Sequence, residues 1–125
     1  MSGQTLLSVG DKWYSYSGVL QGDVSVPATI SMILIPNTGL RDSLVYIQPF
    51  FGLTQSSSES EQIGLLVKID DVEIIKQLER KQNTAFDATP FNLFIPRQSK
   101  LEIISLNASA NNTQERGVTL IGYYL

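Results

Sequence analysis

Residues 24–35 have the sequence VSVPATISMILI, in which an apolar residue stands at every second position. The alternating set is Val24, Val26, Ala28, Ile30, Met32 and Leu34. A period of two places successive side chains on opposite faces of an extended chain, so the stretch predicts a β-strand with one covered face. The sequence Pro36-Asn37-Thr38-Gly39 predicts its end, because proline lacks a backbone donor and Asn and Gly tolerate positive φ.

Similar apolar runs, separated by Gly, Pro, Asn, Asp or Ser, recur along the rest of the chain and predict further short strands. The predicted strands are Lys12 to Leu20 ending at a Gln21-Gly22-Asp23 turn, Val24 to Ile35, Ser43 to Phe51, Ile63 to Ile69, Phe91 to Ile95, Leu101 to Leu106 and Val118 to Leu125. Pro49 predicts that the far end of the third run lies at an edge or a bulge.

The segment from Val72 to Gln82 fits two structures. Asp70-Asp71 suits a two-residue hairpin turn leading into a strand at Val72-Glu73-Ile74-Ile75. Ile74, Ile75 and Leu78 also fit one face of a short helix, although the strand is the favoured interpretation. With that strand the chain has about eight, which predicts an all-β, two-sheet sandwich of jelly-roll topology. The immunoglobulin sandwich is the nearest competitor, but its Cys–Trp–Cys framework is missing.

A chain of 125 residues, 42% hydrophobic and 17% charged, suits one folded domain. We assign residues 12–125 to a single β-sandwich domain. Residues 1–11 contain the apolar Leu6, Leu7 and Val9 among small and polar residues, and they fit either an arm that orders on a neighbouring molecule or an edge strand.

Composition argues against catalysis. The chain has no cysteine and no histidine, so thiolate chemistry, imidazole bases and the commonest metal ligands are missing. The adjacent Ser99 and Lys100 are the nearest approach to a nucleophile with a base, and an ordinary turn serine is the favoured interpretation. We therefore predict no enzyme activity, no catalytic residues, no metal and no cofactor.

Partners of two kinds are also disfavoured. The net charge is −3 and the basic residues are scattered, which disfavours nucleic acid. Apolar runs are too short for a membrane span, and Met1-Ser2-Gly3-Gln4 does not begin a secretory signal, so we expect synthesis in the cytoplasm.

Aromatic residues are the stronger functional candidates, because Trp and Tyr bring large apolar area together with a polar group. The candidates for an interface are Leu6, Leu7, Trp13, Tyr14, Tyr16, Phe50, Phe51, Tyr123 and Tyr124. Alternation must place some of these rings inside. We expect Trp13 to lie in the core, one of Tyr123 and Tyr124 is a further core candidate, and at least one tyrosine should remain outside.

The run from Phe94 to Ile103 (FIPRQSKLEI), the Asn-rich loop after it and the terminal Gly122-Tyr123-Tyr124-Leu125 strand resemble the closing half of jelly-roll domains in tailed-bacteriophage virion proteins. The Ile35 to Gly39 turn and the Pro49-Phe50-Phe51-Gly52 strand end are similar in kind. The resemblance covers about two thirds of the chain and contains no diagnostic motif.

This resemblance implies a structural virion protein of the decoration (cement) class, which binds the major capsid protein or another virion protein and stabilises the shell. It also implies a homo-oligomer, a trimer first, located in the virion. A neck or tail component is an alternative within the same class. A carbohydrate-binding module using surface Trp and Tyr rings is the alternative from a different class.

Overall fold

The computed structural model describes residues 7–18, 20–22, 29–54, 62–80, 89–107 and 114–125, and they form β-strands and turns. Among these residues no helix has the length and apolar character needed to cross a membrane. The strands are β1 (Leu7–Val9), β2 (Lys12–Tyr16), β3 (Leu20–Gly22), β4 (Thr29–Ile35), β5 (Ser43–Thr54), β6 (Gln62–Ile69), β7 (Val72–Arg80), β8 (Phe91–Ile95), β9 (Leu101–Asn107) and β10 (Gln114–Tyr124).

Two antiparallel sheets share these strands. The first sheet has the order β1-β2-β10-β5-β8, with the short β3 also paired to β10, and the second has the order β4-β9-β6-β7. Eight strands therefore make two sheets of four, and β1 and β3 are short additions to the first. The predicted two-sheet sandwich is confirmed.

The pairing is nested along the chain. β6 pairs with β7, β5 with β8, β4 with β9 and β2 with β10, and successive pairs belong alternately to the second and the first sheet. A long antiparallel hairpin rolled into two layers has this order, which is the jelly-roll arrangement. The topology depends on pairs far apart in the sequence, and no local pattern specifies it.

The turn at the tip of the nested hairpin is formed by Asp70 and Asp71, with φ of 50° and 66°. Positive φ at both central residues is the signature of a type I′ turn, whose twist matches that of the flanking strands. The hairpin prediction is confirmed, and residues 72–80 form a strand rather than a helix. Residues 81 and 82 lie outside the described residues.

The first and third predicted strands differ from the observed ones. Gln21 and Gly22 belong to β3 and pair with β10, so the turn predicted at these residues is wrong; the strand instead breaks earlier, at Ser17 and Gly18. β5 continues through Pro49 to Thr54. β8 pairs with residues 43–47 of β5, so among the described strands Pro49 has β10 as its one neighbour, which agrees with the predicted edge position.

Side-chain alternation in the second predicted strand is shifted by one residue. The ladder between β4 and β9 slips between Ser31 and Ile33, which makes Met32 an extra residue in a bulge. Met32 and Ile33 are therefore both buried, Ile35 is buried after them, and Leu34 moves to the outer face. The predicted inward position of Leu34 is wrong for this reason.

The core lies between the sheets and is built from the inward residues of both. Trp13 is completely buried among them, as expected. The buried cluster comprises Trp13, Met32, Ile33, Ile35, Val45, Ile47, Leu65, Val67, Ile95, Leu101, Ile103, Val118 and Leu120.

Loops at one end of the sandwich bind one another through their backbones. Thr38 N donates to Ser99 O at 2.9 Å, and Ser99 N donates back to Thr38 Oγ1 at 3.1 Å. Asp70 exchanges two 2.8–2.9 Å hydrogen bonds with the backbone of Lys100. We call this cross-linked region, residues 10–11, 36–42, 70–71, 96–100 and 125, the loop end.

Candidate functional site

The outer face of the first sheet carries aromatic side chains from four strands. The inward positions of β2, β5, β8 and β10 fill the core, so the residues between them point outward. Register aligns these outward residues in rows across the sheet. The row nearest the loop end is Lys12, Tyr123, Leu44 and Phe94, and the next is Tyr14, Ile121, Tyr46 and Asn92. We call these two rows the aromatic face.

Large apolar side chains of this face are open to solvent. Phe94 is 49% exposed, and Leu44 and Tyr123 are each 40% exposed. Leu125 follows Tyr123 on the loop end and is exposed as well. These exposed side chains form an apolar patch along the row nearest the loop end.

The face is nearly uncharged. Lys12 is its one charged residue, and the Lys12 Nζ atom lies 5.4 Å from the centre of the Tyr123 ring. At this distance the ammonium group is attracted to the ring quadrupole while the tip stays in water. The positive charge therefore stands at the β2 side of the face, and the rows beyond it are neutral.

The outer face of the second sheet is different in character. One of its rows aligns Leu34, Glu102, Lys68 and Glu73, which places charges of opposite sign next to each other. Ser31 Oγ donates to Glu102 Oε2 at 2.8 Å, and Lys76 is exposed nearby on β7. This row has the mixed charges of a solvated sheet surface, whereas the next row aligns Ser31, Ile104, Leu66 and Lys76, and Leu66 is buried.

A pocket lies next to the aromatic face on the side away from the loop end, past Phe91, the first residue of β8. The next row is Tyr16, Thr119 and Gln48, and Gly117 then pairs with Phe50. These residues, together with Gly18, line a pocket of ≈ 170 Å³. Tyr16 and Phe50 are 50% and 45% exposed, and they stand on the two sides of the Gly117 floor. We call this feature the Gly117 pocket.

The predicted interface residues divide between surface and core. Tyr14, Tyr16, Phe50 and Tyr123 lie on the outer face of the first sheet. Trp13 is fully buried, and Tyr124 is partly buried against the core with the Arg41 guanidinium 5.1 Å from its ring centre. Trp13 is therefore removed from the set of surface candidates, and Tyr124 packs against the core without being fully buried in it.

The remaining candidates are only partly described. Leu6 lies outside the described residues. Leu7 begins β1 and Phe51 lies in β5, and for both residues only the backbone is described. Residues 7–9 pair with β2 as an edge strand of the first sheet.

Sequence reasoning missed several residues of the surface. Leu44, Tyr46, Phe94 and Ile121 belong to the aromatic face, and Gln48 and Thr119 line the pocket. For Leu44 and Tyr46 the signal in the sequence was the apolar character of both alternating sets in Ser43 to Phe51, where one set would suffice for a strand with one open face.

The Ser99 and Lys100 pair has a structural role in the loop end. Ser99 is buried, and its Oγ lies 3.5 Å from the carbonyl oxygen of Arg97. Lys100 Nζ bonds Asp71 Oδ1 at 2.7 Å, and the pKa of that carboxyl is held below its ordinary value of 3.8, first by this hydrogen bond and then by the lysine charge. Within the described ranges no three acidic residues converge as a metal site.

Comparisons with protein-family models and with curated proteins find no match to this chain. The functional argument therefore rests on the fold and on the two features of the first sheet, the aromatic face and the Gly117 pocket.

Proposed function

We propose that this chain is a structural protein that docks on other protein surfaces through the aromatic face, and that it serves in a virion as a decoration (cement) protein. The observation that carries the proposal is the pair of rows from Lys12 to Phe94 and from Tyr14 to Asn92. No catalytic step and no cofactor is part of the proposal.

Composition of the face supports docking on protein. The centres of protein interfaces are depleted in charged residues and enriched in Tyr and Phe. Rigid aromatic side chains lose little conformational entropy when they are covered, so they anchor interfaces efficiently. Among the described strands, those of the second sheet contain no aromatic residue, so the outward Tyr and Phe side chains belong to the first sheet.

The aromatic face alone is smaller than a stable protein interface. Four strands 4.8 Å apart and two rows of residues span roughly 250 Å², which is about a third of the ~800 Å² that a stable interface covers on each partner. The face is then the centre of an interface whose margin extends over neighbouring residues. The exposed Leu40 and Leu125 of the loop end continue it in apolar character.

The fold and the sequence resemblance to virion proteins are the further support for a role in a virion. Jelly rolls are frequent among virus shell proteins, and the strand order here is a jelly roll. A cement protein gains by contacting several subunits at once, because a second contact on the same assembly is made at high effective concentration. We propose the major capsid protein or another virion protein as the partner, and a trimer as the first oligomer to test.

A neck or tail component would use the same face in another part of the particle. Its copy number separates the two, since a decoration protein is present in proportion to the capsid protein and a neck or tail component in a few copies. Quantitative mass spectrometry of purified particles measures this ratio.

The experiment for the main proposal uses the virus whose genome carries this chain. Particles lacking the chain are expected to lose their genome at a lower temperature than complete particles, and added purified protein is expected to restore the difference. Phe94→Glu places a charge in the centre of the face and is expected to abolish restoration. Lys76→Glu, on the outer face of the other sheet, is the matched control and is expected to restore normally.

Particles that lack the chain but keep the full heat resistance and composition of complete particles would contradict the virion role. Normal restoration by Phe94→Glu would show that docking uses another surface.

A further inference from the structure

The Gly117 pocket exists because β2 is interrupted beside β10. Gly18 has a φ of 72°, which turns the chain away from the ladder after Tyr16. Ser17 occupies the break and replaces the missing strand: its N–H donates to Val118 O at 3.1 Å, and its Oγ accepts from Val118 N at 2.8 Å. The backbone of β10 is thus fully bonded at the break, and the pocket is preformed.

The floor is backbone and must remain so. A Cβ at position 117 would lie 2.5 Å from the carbonyl oxygen of Gly18, which is too close for any side chain. Gly117 is buried beneath this carbonyl, so Gly117 and Gly18 together form the floor of the pocket that Tyr16 and Phe50 also line.

The described residues of the lining are aromatic, polar or small, and none of them is charged. Gln48 and Thr119 bring an amide and a hydroxyl into the space between the two rings, and neither makes a hydrogen bond with any described residue. An apolar side chain of a partner would cover these groups and leave them unpaired, which is unfavourable. A ligand with hydroxyl groups would pair them.

The pocket is small, at ≈ 170 Å³, and it is partly open to solvent, so a single ring suits it. A pyranose ring combines this small size with apolar C–H faces, which suit aromatic rings, and a rim of hydroxyls, which suits an amide and a hydroxyl. The neutral lining favours an uncharged sugar.

We propose that the Gly117 pocket binds one neutral pyranose unit of a glycan, held between Tyr16 and Phe50 and hydrogen-bonded by Gln48 and Thr119. This goes beyond docking on a shell protein and does not depend on it, because the pocket lies outside the two rows of the aromatic face. A chain with both features would attach to a protein assembly and present a sugar site.

The test is an NMR titration of the isotope-labelled chain with a panel of neutral monosaccharides, namely glucose, galactose, mannose, N-acetylglucosamine and N-acetylgalactosamine. Concentrations up to about 50 mM are needed, since one small site gives at best modest affinity. At least one sugar is expected to shift the amide signals of Gly18, Gly117 and Thr119 saturably. Tyr16→Ala and Phe50→Ala are each expected to weaken binding at least tenfold.

Two matched variants make the result specific. Phe94→Ala removes an equally exposed ring from the aromatic face and is expected to leave sugar affinity within twofold of the unmodified chain. Gln48→Leu keeps the size of the side chain without its amide, and it is expected to weaken sugar binding. Both rings of the pocket are about half exposed, so the alanine variants are expected to keep the thermal midpoint.

The proposal is overturned if no sugar in the panel shifts these amides, or if the shifts survive both ring truncations. It is also overturned if Gln48→Leu strengthens binding of apolar peptides while no sugar binds, because the pocket would then be a receptor for a partner's side chain. Failure of sugar binding would leave the heat-resistance experiment unaffected, so the two proposals are tested separately.

Discussion

Gly122 lies directly opposite Trp13 in the ladder between β2 and β10, and the indole of Trp13 occupies the space that a side chain at position 122 would take. The indole Nε1 donates to Ser43 Oγ on β5 at 3.0 Å. Trp13 therefore extends from β2 across the glycine of β10 to β5, the next strand in the sheet. It fixes the relative position of three strands that carry the aromatic face.

Gly122→Ala is expected to lower the free energy of unfolding by about 1–3 kcal/mol or more, because overpacking forces the indole and the backbone apart. Chemical denaturation measures this loss of free energy of unfolding. Tyr123→Ala changes the adjacent, outward residue and is expected to cost less. Equal denaturation midpoints for Gly122→Ala and the unmodified chain would contradict the packing of Trp13 on this glycine.

Two buried serines are expected to respond in opposite ways to alanine. Ser43 Oγ accepts the indole hydrogen bond, so Ser43→Ala leaves a buried donor unpaired and is expected to cost about 1–3 kcal/mol. Ser15 Oγ is buried with no partner among the described residues, so Ser15→Ala is expected to be neutral or to stabilise by up to about 1 kcal/mol. Denaturation of the two variants side by side checks the contrast, and a larger loss for Ser15→Ala would refute it.

The type I′ turn gives a backbone prediction at Asp71. Both Asp71→Gly and Asp71→Ala remove the carboxylate, so their difference isolates the cost of a Cβ at a φ of 66°. The alanine variant is expected to be less stable than the glycine variant by about 1–2 kcal/mol. Equal stability of the two would mean that the turn has another conformation in solution.

The Lys100 ammonium lowers the pKa of the Asp71 carboxyl. The contribution of this pair to the stability of the fold therefore depends on pH. A group whose pKa is lower in the folded state stabilises the fold above its ordinary pKa, and this contribution is lost as the pH falls through the folded value. In Lys100→Met the Asp71 pKa, followed by NMR of the side-chain carboxyl, is expected to rise toward 3.8. An unchanged pKa in this variant would show that the pair does not form in solution.

Local features of the fold were predictable because they depend on neighbouring residues. The period of two identified the strands, Asp70-Asp71 identified the hairpin turn, and the Tyr123-Tyr124 pair had to divide between surface and core. The bulge at Met32 was not predictable, because an extra residue is defined only by the register with β9. The break at Ser17 and Gly18 was missed for a similar reason, since Ser17 replaces a strand pairing that the sequence does not display.

The candidate site was only partly predictable, because the surface is assembled from distant segments. Tyr14 and Tyr123 were among the interface candidates, but their neighbours Tyr46 and Phe94 come from β5 and β8. The nested strand order brings these segments together. Gly117 has no local signal, since its role appears only when the Gly18 carbonyl lies against it.

The central claim is that the aromatic face is covered by protein in the assembled particle, and photo-crosslinking tests it directly. A photoreactive phenylalanine analogue at position 94 is expected to form adducts with another virion protein or another copy of this chain in intact particles. The same analogue at position 76, on the charged outer face of the second sheet, is expected to form few. Adducts from position 76 with none from position 94 would contradict the claim.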